Sequence, residues 1–430
     1  MITDRETCKT IDSERVLMTP LRLAWCVAAV SLLATGCTTP EPPPGPLVVG
    51  VLAPLTGPGS DTGPETVRGA QLAVEVVNNP HPDLPVPLGP EAGLPRRGRA
   101  VLTLATADTG GRSDTATGAL AGVADAHHPA GLVSAESAEV TVALSSQAQR
   151  LRVPLIDAGS TADYLTELGA DWYFRTGPSD SQLAESAFAL LGRLPRGQGG
   201  AIALVTESGE DGAVAARRLR ELAERDGAAV SGQFEQPTGT SDPAALAASL
   251  AAAPPRAVFA WARTVPAATA IAEAVDRTDA TVSLFGLGEG FRALSKPAAR
   301  DPGLLRAVPW SAEFAGRSPV GRQVAELYRQ RFGRAMTAAA VDAFTAVITL
   351  AVAIDAAADG DTAAIRTALR QTEQPAAGLI VPWNGVRFGP DGQNMLAAAV
   401  VEQWQDRGFR LVYPIELATG QARWTRRDTA

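Results

Sequence analysis

The sequence predicts an α/β protein of two lobes, each a mainly parallel sheet covered by helices. Three observations carry this expectation. Short apolar runs rich in Val, Ile and Leu alternate with segments whose apolar residues recur at helical spacing. The alternation runs from Leu47 to Ile156 and begins again at Ala201, after a helix that Ser179-Asp180-Ser181-Gln182 opens as a capping box. Near the end, runs at Leu379–Trp383, Val386–Phe388, Leu396–Gln405 and Phe409–Tyr413 are joined by turn sequences, which reads as short strands.

With 430 residues, 46% hydrophobic and 20% charged, the chain can bury a large core in about two domains. Its formal charge of -8 argues against nucleic acid as a partner. The apolar run Leu23–Leu33 is too short to span a bilayer as a mature helix, and Ser31-Leu32-Leu33-Ala34-Thr35-Gly36-Cys37 follows the pattern of a bacterial lipoprotein signal. An ordinary secretory signal with an incidental cysteine would look much the same. Residues 1–36 are expected to be removed and Cys37 acylated, which anchors the protein to the outer face of the cell membrane. Acidic residues before Met18 make Met18 a better start than Met1. Residues 37–46 form a stiff, Pro-rich tether.

Leu47–Ala53 is a nearly unbroken apolar run that suits a strand buried on both faces. Pro54 ends it, Gly57, Gly59 and Gly63 supply a turn, and Val67, Ala70, Val74 and Val77 continue at helical spacing. Their G-x-G-x-x-x-G spacing is not a dinucleotide fingerprint, and no lysine follows as in a phosphate-binding loop. A turn that needs glycine only for its backbone angles would look the same. The segment His81–Arg99, rich in Pro and Gly, reads as a surface insertion. Strands follow at Ala100–Ala105, Gly131–Val133 and Val153–Ile156, with helices from a cap at Ser113 or Asp114 and over Val140–Gln149. The second lobe reads as strands at Ala201–Val205, Val230–Phe234, Ala257–Trp261 and Val282–Phe285, interleaved with helices over Ala213–Arg225, from a cap at Asp242, and over Pro266–Arg277. Helices at Gln323–Phe332, Ala338–Ala357 and from Asp361 to Gln371 precede the strand-rich end, and residues 416–430 form a tail.

Four blocks in order, VVGVLAPLTGPGSDTGPETVRGAQLAVEVVN, VPLIDAGSTADYLT, YFRTGPSDSQLAESAFAL and the pair VDAFTAVITLAVAIDAAA with VRFGPDGQNMLAAAVVEQWQDRGF, resemble the solute-binding proteins for branched-chain amino acids and their relatives. These have the type I periplasmic-binding-protein fold. The resemblance covers about Leu47 to Pro414. It implies two doubly wound α/β lobes joined by a three-segment hinge, with ligand in the cleft between them. The crossings fall near Arg175–Ser179, Val308–Ser311 and Gly378–Pro382, so that lobe one is 47–176 with 311–378 and lobe two is 177–310 with 379–415.

The same resemblance implies a ligand site. Gly159, Ser160 and Thr161 match the lobe-one backbone and hydroxyl groups that hold an α-carboxylate, and a plain Ser-Thr helix cap is the alternative. A serine of relatives falls on Ala138, with Ser137 one residue earlier, so either Ser137 takes the role or the contact is lost. Glu289 matches the lobe-two acid that receives an ammonium. Asp211 and Arg263 stand where relatives carry aromatic residues. If both face the cleft, the ligand is a polar amino acid, amide or short peptide-like solute; if they face solvent, they say nothing of the ligand.

Catalysis is not expected. His81, His127 and His128 have no companion ligands at metal-binding spacing, and no nucleophile elbow or H-E-x-x-H occurs. Neither cofactor nor metal is implied. The expected function is that of a membrane-anchored solute-binding lipoprotein serving ABC permease subunits. A ligand sensor of the same fold that feeds a signalling partner is the alternative, because both uses need the same closing cleft.

Overall fold

The computed structural model describes residues 45–193, 200–239, 242–278, 282–295 and 303–424. The expected signal segment, Cys37 and most of the expected tether lie outside these residues.

The first sheet has five parallel strands: β1 (Leu47–Ala53), β2 (Leu102–Asp108), β3 (Gly131–Ser134), β4 (Leu155–Asp157) and β5 (Tyr173–Arg175), in the order β2-β1-β3-β4-β5. Helices α1 (Gly63–Asn78), α2 (Ser113–His127), α3 (Ala138–Leu151) and the short α4 (Tyr164–Glu167) alternate with them. The apolar run of β1 arises because both faces are covered, and Val49, Val51, Leu52 and Ala53 are fully buried.

The chain then enters α5 (Asp180–Leu191). The capping box is present: Ser179 Oγ accepts from the Gln182 amide and Gln182 Oε1 accepts from the Ser179 amide. The second sheet, in the order β14-β13-β10-β9-β8-β6-β7, is built from β6 (Ile202–Glu207), β7 (Val230–Gln236), β8 (Ala257–Trp261), β9 (Ser283–Leu287), β10 (Leu305–Val308), β13 (Val400–Gln405) and β14 (Gly408–Tyr413). Strands β6 to β10 run parallel, while β13 and β14 join as an antiparallel hairpin at the β10 edge. Helices α6 (Glu210–Arg225), α7 (Ala244–Ala252), α8 (Val265–Asp276) and α9 (Glu289–Ala293) connect its parallel strands. Phe259 lies at the centre of this core, stacked on Phe188 at 4.1 Å and on Phe285 at 4.6 Å between ring centroids.

Helices α10 (Ala312–Arg317), α11 (Pro319–Phe332), α12 (Ala338–Ala356) and α13 (Thr362–Arg370) follow, and α11, α12 and α13 contribute to the first core. Helix α12 is apolar on almost every side because it is buried between α1, the first sheet and α13. Its backbone meets that of α1 at Gly69, where a Cβ would lie 2.1 Å from the Ala340 carbonyl oxygen.

Several local expectations are corrected. Leu379–Trp383 is no strand. These residues are irregular, and Leu379, Ile380, Val381 and Trp383 are apolar because they are buried in the first core. Pro382 lacks the amide that a ladder needs. Only Gly385–Val386 of the next run is extended (β12), paired with Gln374–Pro375 (β11). The segment 81–99 is not merely a surface insertion, since Leu84, Val86 and Leu94 are buried in the first core. Neither Ser113 nor Asp114 caps α2; Arg112 holds the cap position and makes no side-chain cap bond.

Candidate functional site

The carboxyl ends of both parallel sheets open onto one cavity of about 510 Å³, within the range of about 300–1,000 Å³ usual for small-molecule sites. Three strand-end carboxylates hold the loops around it. Asp108, ending β2, accepts from the Leu55, Thr56 and Gly110 amides and the Thr56 hydroxyl. The Thr56 bond and the amides hold its carboxyl at about 2. Asp157, ending β4, is fully buried and accepts from the Gly159 amide at 2.9 Å, the Ser160 amide at 3.1 Å and the Tyr173 hydroxyl at 2.7 Å. Burial raises its pKa, and these bonds oppose the rise. Glu207, ending β6, accepts from the Arg263 and Thr264 amides and the Thr264 hydroxyl at 2.8 to 2.9 Å.

All eight residues expected from the sequence line this cavity: Ser137, Ala138, Gly159, Ser160 and Thr161 from the first sheet's side, and Asp211, Arg263 and Glu289 from the second. Their local settings differ from the expectation in instructive ways. No helix begins at Thr161, because α4 starts at Tyr164 with Asp163 in the cap position. The Gly159 and Ser160 amides are engaged by Asp157 rather than aimed together at the cleft. The Thr161 hydroxyl donates to Asp180 Oδ1 at 2.6 Å and accepts from Arg292 Nη1 at 2.9 Å. Ser137 holds the cap position of α3, is exposed and makes no cap bond, while Ala138 is the first helical residue. Asp211 and Arg263 line the cavity and also face each other at 3.9 Å, with Arg263 largely in solvent, so the pair is worth little in itself. Glu289 opens α9 and is exposed.

The structure adds residues that local patterns did not single out. Asp180 in α5 receives Thr161, the Trp261 indole N–H at 3.1 Å and Arg292 at 3.9 Å. Burial raises its pKa, and Arg292 opposes the rise. Thr161 thus ties the loop after β4 to two helices that pack on the second sheet. At the rim, Arg218 of α6 and Glu167 of α4 make a second tie at 2.6 Å. Asp342 in the first turns of α12 lines the cavity. Its Oδ1 is buried without a hydrogen-bond partner, and burial pushes its pKa to about 8. One signal for it existed in the sequence: α12 carries only two charged residues in 19, Asp342 and Asp355.

Glu136, also on the cavity wall, is buried, and desolvation pushes its pKa to about 7, against the bond from the Thr109 hydroxyl. Between about pH 4.5 and 7 the native chain therefore binds more protons here than the unfolded chain, so stability falls as pH rises through that window. The ligand-free protein is expected to lose about 2 kcal/mol from this group between pH 5 and 8. Glu136→Gln should flatten that slope in urea unfolding at the two pH values. An unchanged slope would mean that Glu136 is ionised throughout.

A family model described as "Periplasmic binding protein" matches residues 46–408. The Leu/Ile/Val-binding protein homolog 8 of Brucella abortus (strain 2308) is 22% identical over 390 residues, covering 87% of this chain and 92% of its own. An ABC transporter substrate-binding protein from Desulfitobacterium hafniense, solved in complex with Leu, superposes with a TM-score of 0.68 at 18% identity, over 86% of this chain and 100% of that one. A solute-binding protein of an ABC transporter from Rhodopseudomonas palustris BisB5, solved with 3,4-dihydroxybenzoic acid, gives a TM-score of 0.62 at 14% identity, over 84% and 94% of the two chains.

Proposed function

This chain belongs to the periplasmic binding protein family, and from that premise we propose that it is the extracytoplasmic solute-binding component of an ABC-type importer, binding an amino acid or related small polar solute. The observation that carries this reading is the cavity of about 510 Å³ between the strand ends of two sheets, walled by polar groups from both. Ligand contact is assigned to Ser137, Ser160 and Thr161 with the bare surface of Gly159 on one wall, and to Asp211, Arg263 and Glu289 on the other. Ala138 has no hydroxyl to replace the serine of relatives, so the neighbouring Ser137 hydroxyl takes that place. A wall carrying Asp211, Arg263 and Glu289 suits a polar solute better than a bare aliphatic side chain.

Closure is assigned to rotation of lobe one (47–176 with 311–388) against lobe two (177–310 with 389–415) about the crossings near Arg175–Ser179 and Val308–Ser311. The third crossing is placed after Phe388 rather than at Gly378–Pro382, because Leu379 to Phe388 contribute to the first core. The Thr161–Asp180, Thr161–Arg292 and Arg218–Glu167 contacts are the ties that closure makes. Acylated Cys37 and the Pro-rich tether keep the cleft at the outer membrane face, within reach of permease subunits.

Thermal unfolding of the full-length chain against amino acids, amides, short peptides and aromatic acids tests this. A ligand at about a thousand times its dissociation constant adds about 4 kcal/mol, which raises the midpoint by several degrees. No shift with any class would overturn the solute-binding reading. Tight binding of leucine alone would overturn the polar character of the ligand.

A further inference from the structure

We propose that the solute is a peptide of about two residues, bound extended along helix α6 with an apolar side chain over Val214 and Ala215. This rests on the solute-binding reading and selects one size and chemistry from the polar solutes it allows.

The two sides of the cavity are already in contact. The loop after β4 and the short α4 reach across to helices of the second sheet. Thr161 meets Asp180 and Arg292, Asp163 accepts from the Ser181 amide at 3.2 Å and hydroxyl at 2.9 Å, and Glu167 meets Arg218 at 2.6 Å. The volume of about 510 Å³ is therefore that of a bridged cleft. At about 30 Å³ per water it holds on the order of 17 waters, roughly twice the number of non-hydrogen atoms in leucine. A single amino acid would leave about half of it to water.

Helix α6 sets the length. Asp211, Val214, Ala215, Arg218 and Leu219 line the cavity at the i, i+3, i+4, i+7, i+8 spacing of one helical face. Asp211 and Arg218 stand about 10 Å apart along the helix axis, at about 1.5 Å per residue. Both are engaged, Asp211 facing Arg263 and Arg218 holding Glu167. Between them Val214 and Ala215 are half-buried and apolar. Ordered water needs several polar partners, which these side chains lack, whereas an apolar group gains by covering them. Two extended residues span about 7 Å, and a terminal group at either end brings the molecule to the distance between the charged residues. A longer peptide would have to break the ion pair at one end.

The first sheet's side supplies the complement of a peptide unit. Ser137 and Ser160 line the cavity there, and a hydroxyl both donates and accepts, as the N–H and C=O groups of a peptide bond require.

Titration calorimetry on the full-length chain tests this with glycine, leucine, phenylalanine and asparagine, their amides, and the dipeptides made from them in every pairing. At least one dipeptide is expected to bind about 10- to 100-fold more tightly than any of the amino acids or amides, the gain expected from burying one further apolar side chain. Ala215→Phe, which fills the middle of the face, should weaken that dipeptide by about 10-fold or more. Ala213→Phe, on the exposed side of the same helix, should leave its affinity at the parent's value. An amino acid or amide that binds as tightly as the best dipeptide overturns the inference and leaves solute binding standing. An Ala215→Phe protein that binds the dipeptide with parental affinity likewise overturns it. Failure of all these compounds overturns it as well, and solute binding falls with it where aromatic acids also fail. The ligand series decides on the unaltered chain even where Ala215→Phe folds poorly.

Discussion

Replacing Asp157 by alanine is expected to lower the unfolding free energy by about 3–5 kcal/mol and to abolish solute binding. The carboxylate is fully buried and serves three donors at once, the Gly159 and Ser160 amides and the Tyr173 hydroxyl. Each buried donor left without an acceptor costs about 1–3 kcal/mol, and only the exposed Gly159 amide can turn to water freely. The loop 158–163 would then lose the anchor that presents Ser160 and Thr161 to the cavity, and with Thr161 the tie to Asp180 and Arg292. Asp157→Asn keeps an acceptor at the Oδ1 position and should cost only about 1–2 kcal/mol. Urea unfolding of both variants, with ligand titration of the asparagine form, checks this. Equal stability of the alanine variant and the parent would show that the loop is held by something other than its carboxylate.

Gly69→Ala is the second large effect, expected at about 3 kcal/mol or more of stability with weakened binding. A methyl group there would sit 2.1 Å from the Ala340 carbonyl oxygen and 2.8 Å from the Ala340 Cα, so helices α1 and α12 would have to separate. Backbone cannot turn aside as a side chain can. Both helices also form the cavity wall, through Thr66 on α1 with Thr62 at its cap and Ala339 and Asp342 on α12, so the displacement carries into the site. The comparison is Gly118→Ala in α2, where the new methyl group meets nothing within 4 Å. That change should be neutral or should stabilise by up to about 1 kcal/mol, because glycine inside a helix is entropically unfavourable. Thermal unfolding of the two variants side by side separates crowding from helix propensity. A Gly69→Ala protein as stable as the parent would mean that the two helices slide apart at little cost.

Local chemistry carried much of the fold. Strand β1 spans Leu47–Ala53 and β8 spans Ala257–Trp261 as their apolar runs indicate, and the Ser179 capping box and the Asp361 cap are in place. These features depend on residues within a few positions of one another, so their energetics are written in the order of the chain. The eight candidate site residues also lie on one cavity. Their convergence follows from the parallel architecture, which puts the loops after successive strands at one end of the sheet.

What only the tertiary structure decided depends on partners distant in sequence. Leu379–Trp383 carries the apolar signature of a strand, yet it packs as irregular chain on the first core, because burial and strand pairing favour the same side chains. Asp157 takes the Gly159 and Ser160 amides from only two and three residues away, but its full burial and its bond from the Tyr173 hydroxyl, sixteen residues on, are set by the fold. Asp180, Arg292 and Asp342 come together from three helices more than a hundred residues apart at their extremes, and no local period encodes which of them finds a partner. The sequence by itself determined two α/β lobes and the strand-end loops that face each other. The tertiary structure decided which of the polar groups on those loops are already satisfied, because a hydrogen bond or a desolvated charge is set by distance and burial in three dimensions.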